Sequence, residues 1–157
     1  MSWLDLDDDL KEALFRIRVK VGGQVVDKDF IPDVEIDQDN LIEEMSKIPA
    51  IFAFWSMVLA EQSLNKNVAE RKYKRIRSRA RDKILKDART AGYTIRIGDV
   101  DELVDGTDEV TKSHAELMVH ERILSKVFGI RDALRIKADV LRSLASQKRQ
   151  EMINSSM

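Results

Sequence analysis

The chemistry this chain has to offer is carried by cations. Residues 71–83 hold Arg71, Lys72, Lys74, Arg75, Arg77, Arg79, Arg81 and Lys83 against a single acid, Asp82. Solvated helices usually mix both signs, because opposite charges four residues apart attract and like charges repel. Here Arg71/Arg75, Arg75/Arg79, Arg77/Arg81 and Arg79/Lys83 are like pairs at that spacing, each costing about 0.2–0.5 kcal/mol in an isolated helix. A polyanion laid along them relieves the repulsion and releases counterions. Five of the eight are arginines, whose planar fork grips phosphate at two points and stacks on bases. Lys86 and Arg89 extend the run. Tyr73, inside it, reads either as a ring that stacks on a base or as part of an apolar seam.

Two other partners compete for the same block. One is an anionic membrane surface. The other is the protein itself, because the net charge of −1 is segregated: residues 1–47 carry −7 and residues 92–121 carry −6. Those segments are acidic enough to neutralise the block within one chain or between subunits. No zinc finger or other sequence-reading motif is present, so a nucleic-acid complex would be largely independent of sequence.

Other chemistries find little support in the residues. There is no phosphate loop, no dinucleotide glycine pattern and no His-Glu-x-x-His. His114 and His120 stand six apart, which does not bring them to one helix face, and they read as ordinary surface histidines. Asp99, Asp101 and Asp105 lack the glycine and distal glutamate of a calcium loop. Without cysteine there is no thiolate nucleophile and no disulfide framework, which fits a reducing compartment. No catalytic residue, metal or cofactor is assigned, and the chain reads as a non-enzyme. The acidic N-terminus does not look like a signal peptide. The apolar block 48–60 is short of the roughly 20 residues that span a bilayer, so a soluble cytoplasmic protein is expected.

The elements that must position the cations follow from periodicity. Few glycines and prolines and a 35% charged composition point to a mainly α fold of two long antiparallel helices, a hairpin of coiled-coil character. Pro49 is expected to open the first long helix and Gly92 to close it, about 40 residues later and about 60 Å away. Its seam runs Phe52, Trp55, Leu59, Ala69, Tyr73, Ile76, Ala80, Ile84 and Ala88. Residues 92–107 form the connector, with a short strand at Tyr93–Ile97 and one helical turn at Asp101–Val104. The second long helix is expected from Asp108 to Gln150, and residues 151–157 as a frayed tail. Before Pro49 lies an acidic segment, 1–47, with a short helix over 3–14 and a β-hairpin over 15–30 around Gly22-Gly23. The competing reading lets the first helix run on to Val21. Ile31-Pro32 reads as a break, and Asn40 with Glu43 has capping-box spacing.

Such a hairpin has no deep globular core. Its apolar side chains Phe52, Trp55, Leu59, Leu124, Phe128, Leu134 and Leu141 are therefore expected to be covered by other copies, making a homo-oligomer.

The order of these parts resembles a known family. The acidic leader around Leu4-Asp5-Leu6-Asp7-Asp8-Asp9 is followed by Val34-Glu35-Ile36-Asp37-Gln38-Asp39-Asn40-Leu41. Then come Ile48-Pro49-Ala50-Ile51-Phe52-Ala53-Phe54-Trp55, the basic helix, a glycine turn and a last helix with Ala133-Leu134-Arg135-Ile136-Lys137. Over roughly 34–150 this is similar to the UvsY-type recombination mediators of tailed phages, while 15–33 lies outside the family's pattern. The resemblance implies a ring-forming homo-oligomer that binds single-stranded DNA in the host cytoplasm. It also implies that the protein helps load a RecA-like recombinase onto DNA coated by single-stranded-DNA-binding protein. The family's DNA-contacting helix corresponds to Arg71 through Arg89, and its oligomerisation helix to Phe128 through Arg149. A rival of a different class is a structural or scaffolding protein, such as one of a virion, whose charge blocks merely pair subunits.

Overall fold

A computed structural model gives the fold and describes residues 7–156, apart from the side chains of Asp8, Lys11 and Glu12. The elements in chain order are α1 (Asp8–Phe15), β1 (Arg16–Val21), β2 (Gln24–Asp29), α2 (Ile31–Val34), α3 (Leu41–Thr90), α4 (Ile97–Asp105) and α5 (Asp108–Ser155). The mainly helical fold with two long helices and a small hairpin is as expected. Leu4, part of the expected first helix, lies outside the described residues. None of the described helices is long and apolar enough to cross a membrane. The chain divides into two units, cutting across the expected boundaries at 47 and 150. A terminal unit joins the described residues up to Glu61 with those from Ser125 onward, and a middle unit comprises Gln62–Leu124.

In the terminal unit the hairpin forms where alternation predicts it. Arg16, Arg18 and Lys20 are exposed while Ile17 and Val19 are buried. Gly22 and Gly23 have φ of 56° and 82°, the left-handed pair that a two-residue turn between twisted strands requires. The end of the hairpin leans on α1 and α3 through aromatic rings. Phe30 stands edge-on to Phe15 at 6.0 Å and to Trp55 at 6.5 Å. Lys126 of α5 donates to the carbonyls of Ala13 and Arg16 at 3.3 and 2.6 Å, which satisfies the end of α1.

The core of this unit gathers Trp55, Val58, Val127, Leu134 and Leu141, all fully buried, with Ile17, Val19, Leu41, Leu59 and Ile130 around them. The expectation of no deep core is therefore corrected. The N-terminal segment supplies a third layer that two bare helices lack. The start of α3 and the later part of α5 run antiparallel, with Glu44 opposite Lys137 and Phe52 opposite Arg131.

Two boundaries also change. Helix α3 begins at Leu41, and Pro49 lies inside it. A proline there removes one helical hydrogen bond and costs about 3 kcal/mol. Burial of Leu41 and the Glu44–Lys137 contact upstream hold the first two turns in place regardless. At the other end α5 runs on to Ser155, so Met152 to Ser155 are helical rather than frayed.

The middle unit is built from the basic half of α3, α4 and the start of α5. Gly92, at φ 79°, ends α3 in a paired cap: its N–H donates to Arg89 O and the Tyr93 N–H to Ala88 O. The expected strand at Tyr93–Ile97 is absent, because a strand needs a neighbour to pair with and the described strands β1 and β2 pair with each other in the terminal unit. Ile95 instead packs on Val100, Val104 and Val110, together with Tyr73, Ile76, Ala80, Ile84 and Leu85. The expected single turn at Asp101–Val104 is the middle of α4. Val100 and Val104, one turn apart, give α4 the face that seats it on α3.

Candidate nucleic-acid interface

Helix α3 sorts its cations into two sets. The first is neutralised within the chain. Lys72 donates to Glu116 at 2.5 Å and Lys74 to Glu70 at 2.6 Å. Arg77 donates through Nε and Nη2 to the two oxygens of Asp105, at 2.9 and 3.4 Å, and lies 3.5 Å from Asp101. Arg81 donates to Asp101 at 3.2 Å. Asp101 thus bridges the like pair Arg77/Arg81, and the repulsion expected there is relieved by α4.

The second set is Arg71, Arg75, Arg79, Lys83, Lys86 and Arg89. All six are exposed, and none has an ion-pair or hydrogen-bond partner among the described residues. At 3.6 residues per turn they fall within about a third of the helical circumference, away from Tyr73, Ala80 and Ile84, which face the valine cluster, with Ile76 at the edge between the two faces. Three like-charge steps, Arg71/Arg75/Arg79/Lys83, therefore run unrelieved along one row. Asp82 stands in the row, itself exposed and without an ion pair.

The paired carboxylates carry the electrostatic signature of their partners. Hydrogen bonds from Lys66 and Lys74 hold Glu70 at about 2. Lys72 lowers Glu116, and Arg77 lowers Asp105 while being raised by it. An opposite charge in contact favours the ionised form of each.

Tyr73 belongs to the seam. It packs on the valine cluster and lies 5.2 Å from the His114 ring. Of the side chains expected to join subunits, Trp55, Leu134 and Leu141 are fully buried in the terminal unit and Leu59 nearly so. Phe52 and Leu124 are half-buried, whereas Phe128 remains 46% exposed. Apolar surface that was expected between chains is thus largely taken up within one.

Sequence reasoning missed the buried polar cluster of the terminal unit. Asp33 accepts from the Trp55 indole N–H at 2.8 Å and from Lys28 at 2.5 Å. Lys137, 2% exposed, donates to the Asp33 carbonyl at 3.1 Å and sits 2.5 Å from Glu44. Its partners lie about a hundred residues away, which no local pattern reports. No family model, no curated protein and no solved structure matches this chain.

Proposed function

We propose that this chain is a non-catalytic binder of single-stranded DNA that acts as a recombination mediator, helping a RecA-like recombinase onto DNA coated by single-stranded-DNA-binding protein. The observation that carries the binding part is the row Arg71, Arg75, Arg79, Lys83, Lys86 and Arg89, exposed and unpartnered while its neighbours on α3 are neutralised by α4 and α5. Like charges held in line at a cost are explained by an external polyanion whose phosphates relieve them. The mediator role and the choice of single-stranded DNA rest on the resemblance to the UvsY-type family. Self-assembly, in this reading, uses the apolar side chains left exposed on α5: Phe128, Ile136 and Val140 at 46%, 65% and 37%.

The scaffolding alternative draws on the neutralised set, since Arg77 and Arg81 already have carboxylate partners. Two triple or double reversals separate the readings. Arg75→Glu/Arg79→Glu/Lys83→Glu is expected to weaken binding of a labelled oligonucleotide by more than about tenfold at 50 mM salt, with helicity unchanged. Arg77→Glu/Arg81→Glu, which sets glutamates against Asp101 and Asp105, is expected to lower the melting temperature first. Equal loss of affinity from both, or no binding by the wild type at low salt, sinks the proposal.

A further inference from the structure

The row of free cations is followed in the chain by an exposed aromatic residue. Tyr93 is 58% exposed, and its side chain makes no hydrogen bond, ring contact or cation contact among the described residues. Its backbone is nonetheless fixed. The left-handed Gly92 turns the chain, and the Tyr93 N–H is tied to Ala88 O while Gly92 N–H is tied to Arg89 O. Tyr93 follows Arg89, the last member of the row, by four residues and precedes Arg96, which is also exposed, by three. In this cap the residue after the glycine usually packs back on the helix. Here the cap leaves 58% of Tyr93 exposed while Ala88 is 3% exposed. The other tyrosine of the middle unit, Tyr73, is committed to the core and to His114.

We infer that Tyr93 is a base-stacking residue, so that the ligand of the cation row is a nucleic acid with unpaired bases. The inference rests on the proposed nucleic-acid reading and adds to it a reason, independent of the resemblance, for a single strand over a duplex. Cations grip phosphates whatever the state of the bases, but a ring at the end of the phosphate track rewards only a base free to leave its stack. The tyrosine face serves any base, which agrees with the lack of a sequence-reading motif.

The test uses the full chain, a labelled oligothymidylate and an abasic oligonucleotide of the same length, with affinity read by anisotropy at fixed salt. Tyr93→Ala is expected to bind the thymidylate on the order of tenfold more weakly, to bind the abasic strand as the wild type does, and to keep its helicity. Tyr93→Phe is expected to bind both as the wild type. If Tyr93→Ala equals the wild type on both strands while charge reversal of the row abolishes binding, stacking is overturned and the row stands. If Tyr93→Ala weakens both strands equally, the ring acts through the fold and the inference falls. If the wild type binds neither strand at low salt, both readings fall together.

Discussion

Lys137 sets the physical problem at the scale of single residues. An ammonium group loses several kcal/mol of hydration on burial, and this one is 2% exposed. It is compensated by Glu44 at 2.5 Å and by the Asp33 carbonyl at 3.1 Å. The approach to Glu44 is close, but it lacks the angle of a hydrogen bond, so the contact is mainly charge against charge. The Asp33 side chain in turn holds the Trp55 indole, which ties the segment before α3 to both long helices. Lys137→Met removes the cation and leaves Glu44 unbalanced. It is expected to destabilise the protein by about 3 kcal/mol in urea unfolding. Adding Glu44→Gln is expected to recover at least about half of that loss, because the stranded charge goes with it. A single variant as stable as the wild type refutes the coupling. Nothing in Ile136-Lys137-Ala138 marks this lysine as buried, since an isolated lysine on a helix is ordinarily a solvated one.

At the scale of elements, the stop of α3 was legible, whereas its start and the end of α5 were not. Gly92 ends α3 for the reason its type suggests: only glycine takes φ 79° without strain. Pro49 was expected to open the helix, yet tertiary contacts of Leu41 and Glu44 extend it upstream. The proline is exposed, so Pro49→Ala restores a helical N–H with little lost packing. It is expected to raise stability by about 1–3 kcal/mol, read from thermal or urea unfolding, and a drop would show that the ring packs in a way its exposure hides. The basic half of α3 also has a pH dependence with a definite sign. Glu70 has a folded value of about 2 against 4.5 for the free side chain. A lowered carboxylate stabilises fully above the unfolded value, and the contribution is lost as pH falls from about 4.5 toward about 2. Glu70→Gln is therefore expected to flatten the fall of the melting temperature in that window and to leave its slope near neutrality unchanged. Glu70 is half-buried on the helix surface, with 31% of its side chain exposed, and solvent screening keeps the effect small.

For the whole molecule, the segregation of charge along the chain decides how many cations a polyanion meets. Ten cations from Arg71 to Arg89 read alike in the sequence. In the fold four are claimed by Glu70, Asp101, Asp105 and Glu116 and six are left. The salt dependence of binding counts them. Single strands give a slope of log K against log salt of about −0.7 per phosphate neutralised, so the six-cation row predicts about −4 and the full set about −7. Anisotropy titrations between 50 and 300 mM salt, as an approximate range, distinguish the two. A slope near −7 would mean that the internal carboxylates let go of their partners when the polyanion binds.

What the sequence determined by itself is whatever depends on neighbours within a few residues. The hairpin over 15–30 followed from alternation around Gly22-Gly23, the long helices from the absence of breakers, and the cationic character of α3 from its count of arginines. What the tertiary structure alone decided is which of those groups are still available. Trp55, Leu134 and Leu141 form a core with the N-terminal segment instead of waiting for another subunit, and α4 covers Arg77 and Arg81 while leaving Arg75 and Arg79 bare. The reason is physical. Propensity and periodicity act over one or two turns, whereas burial and ion pairing depend on which distant segment arrives at a given face, and that is settled only when the chain has folded.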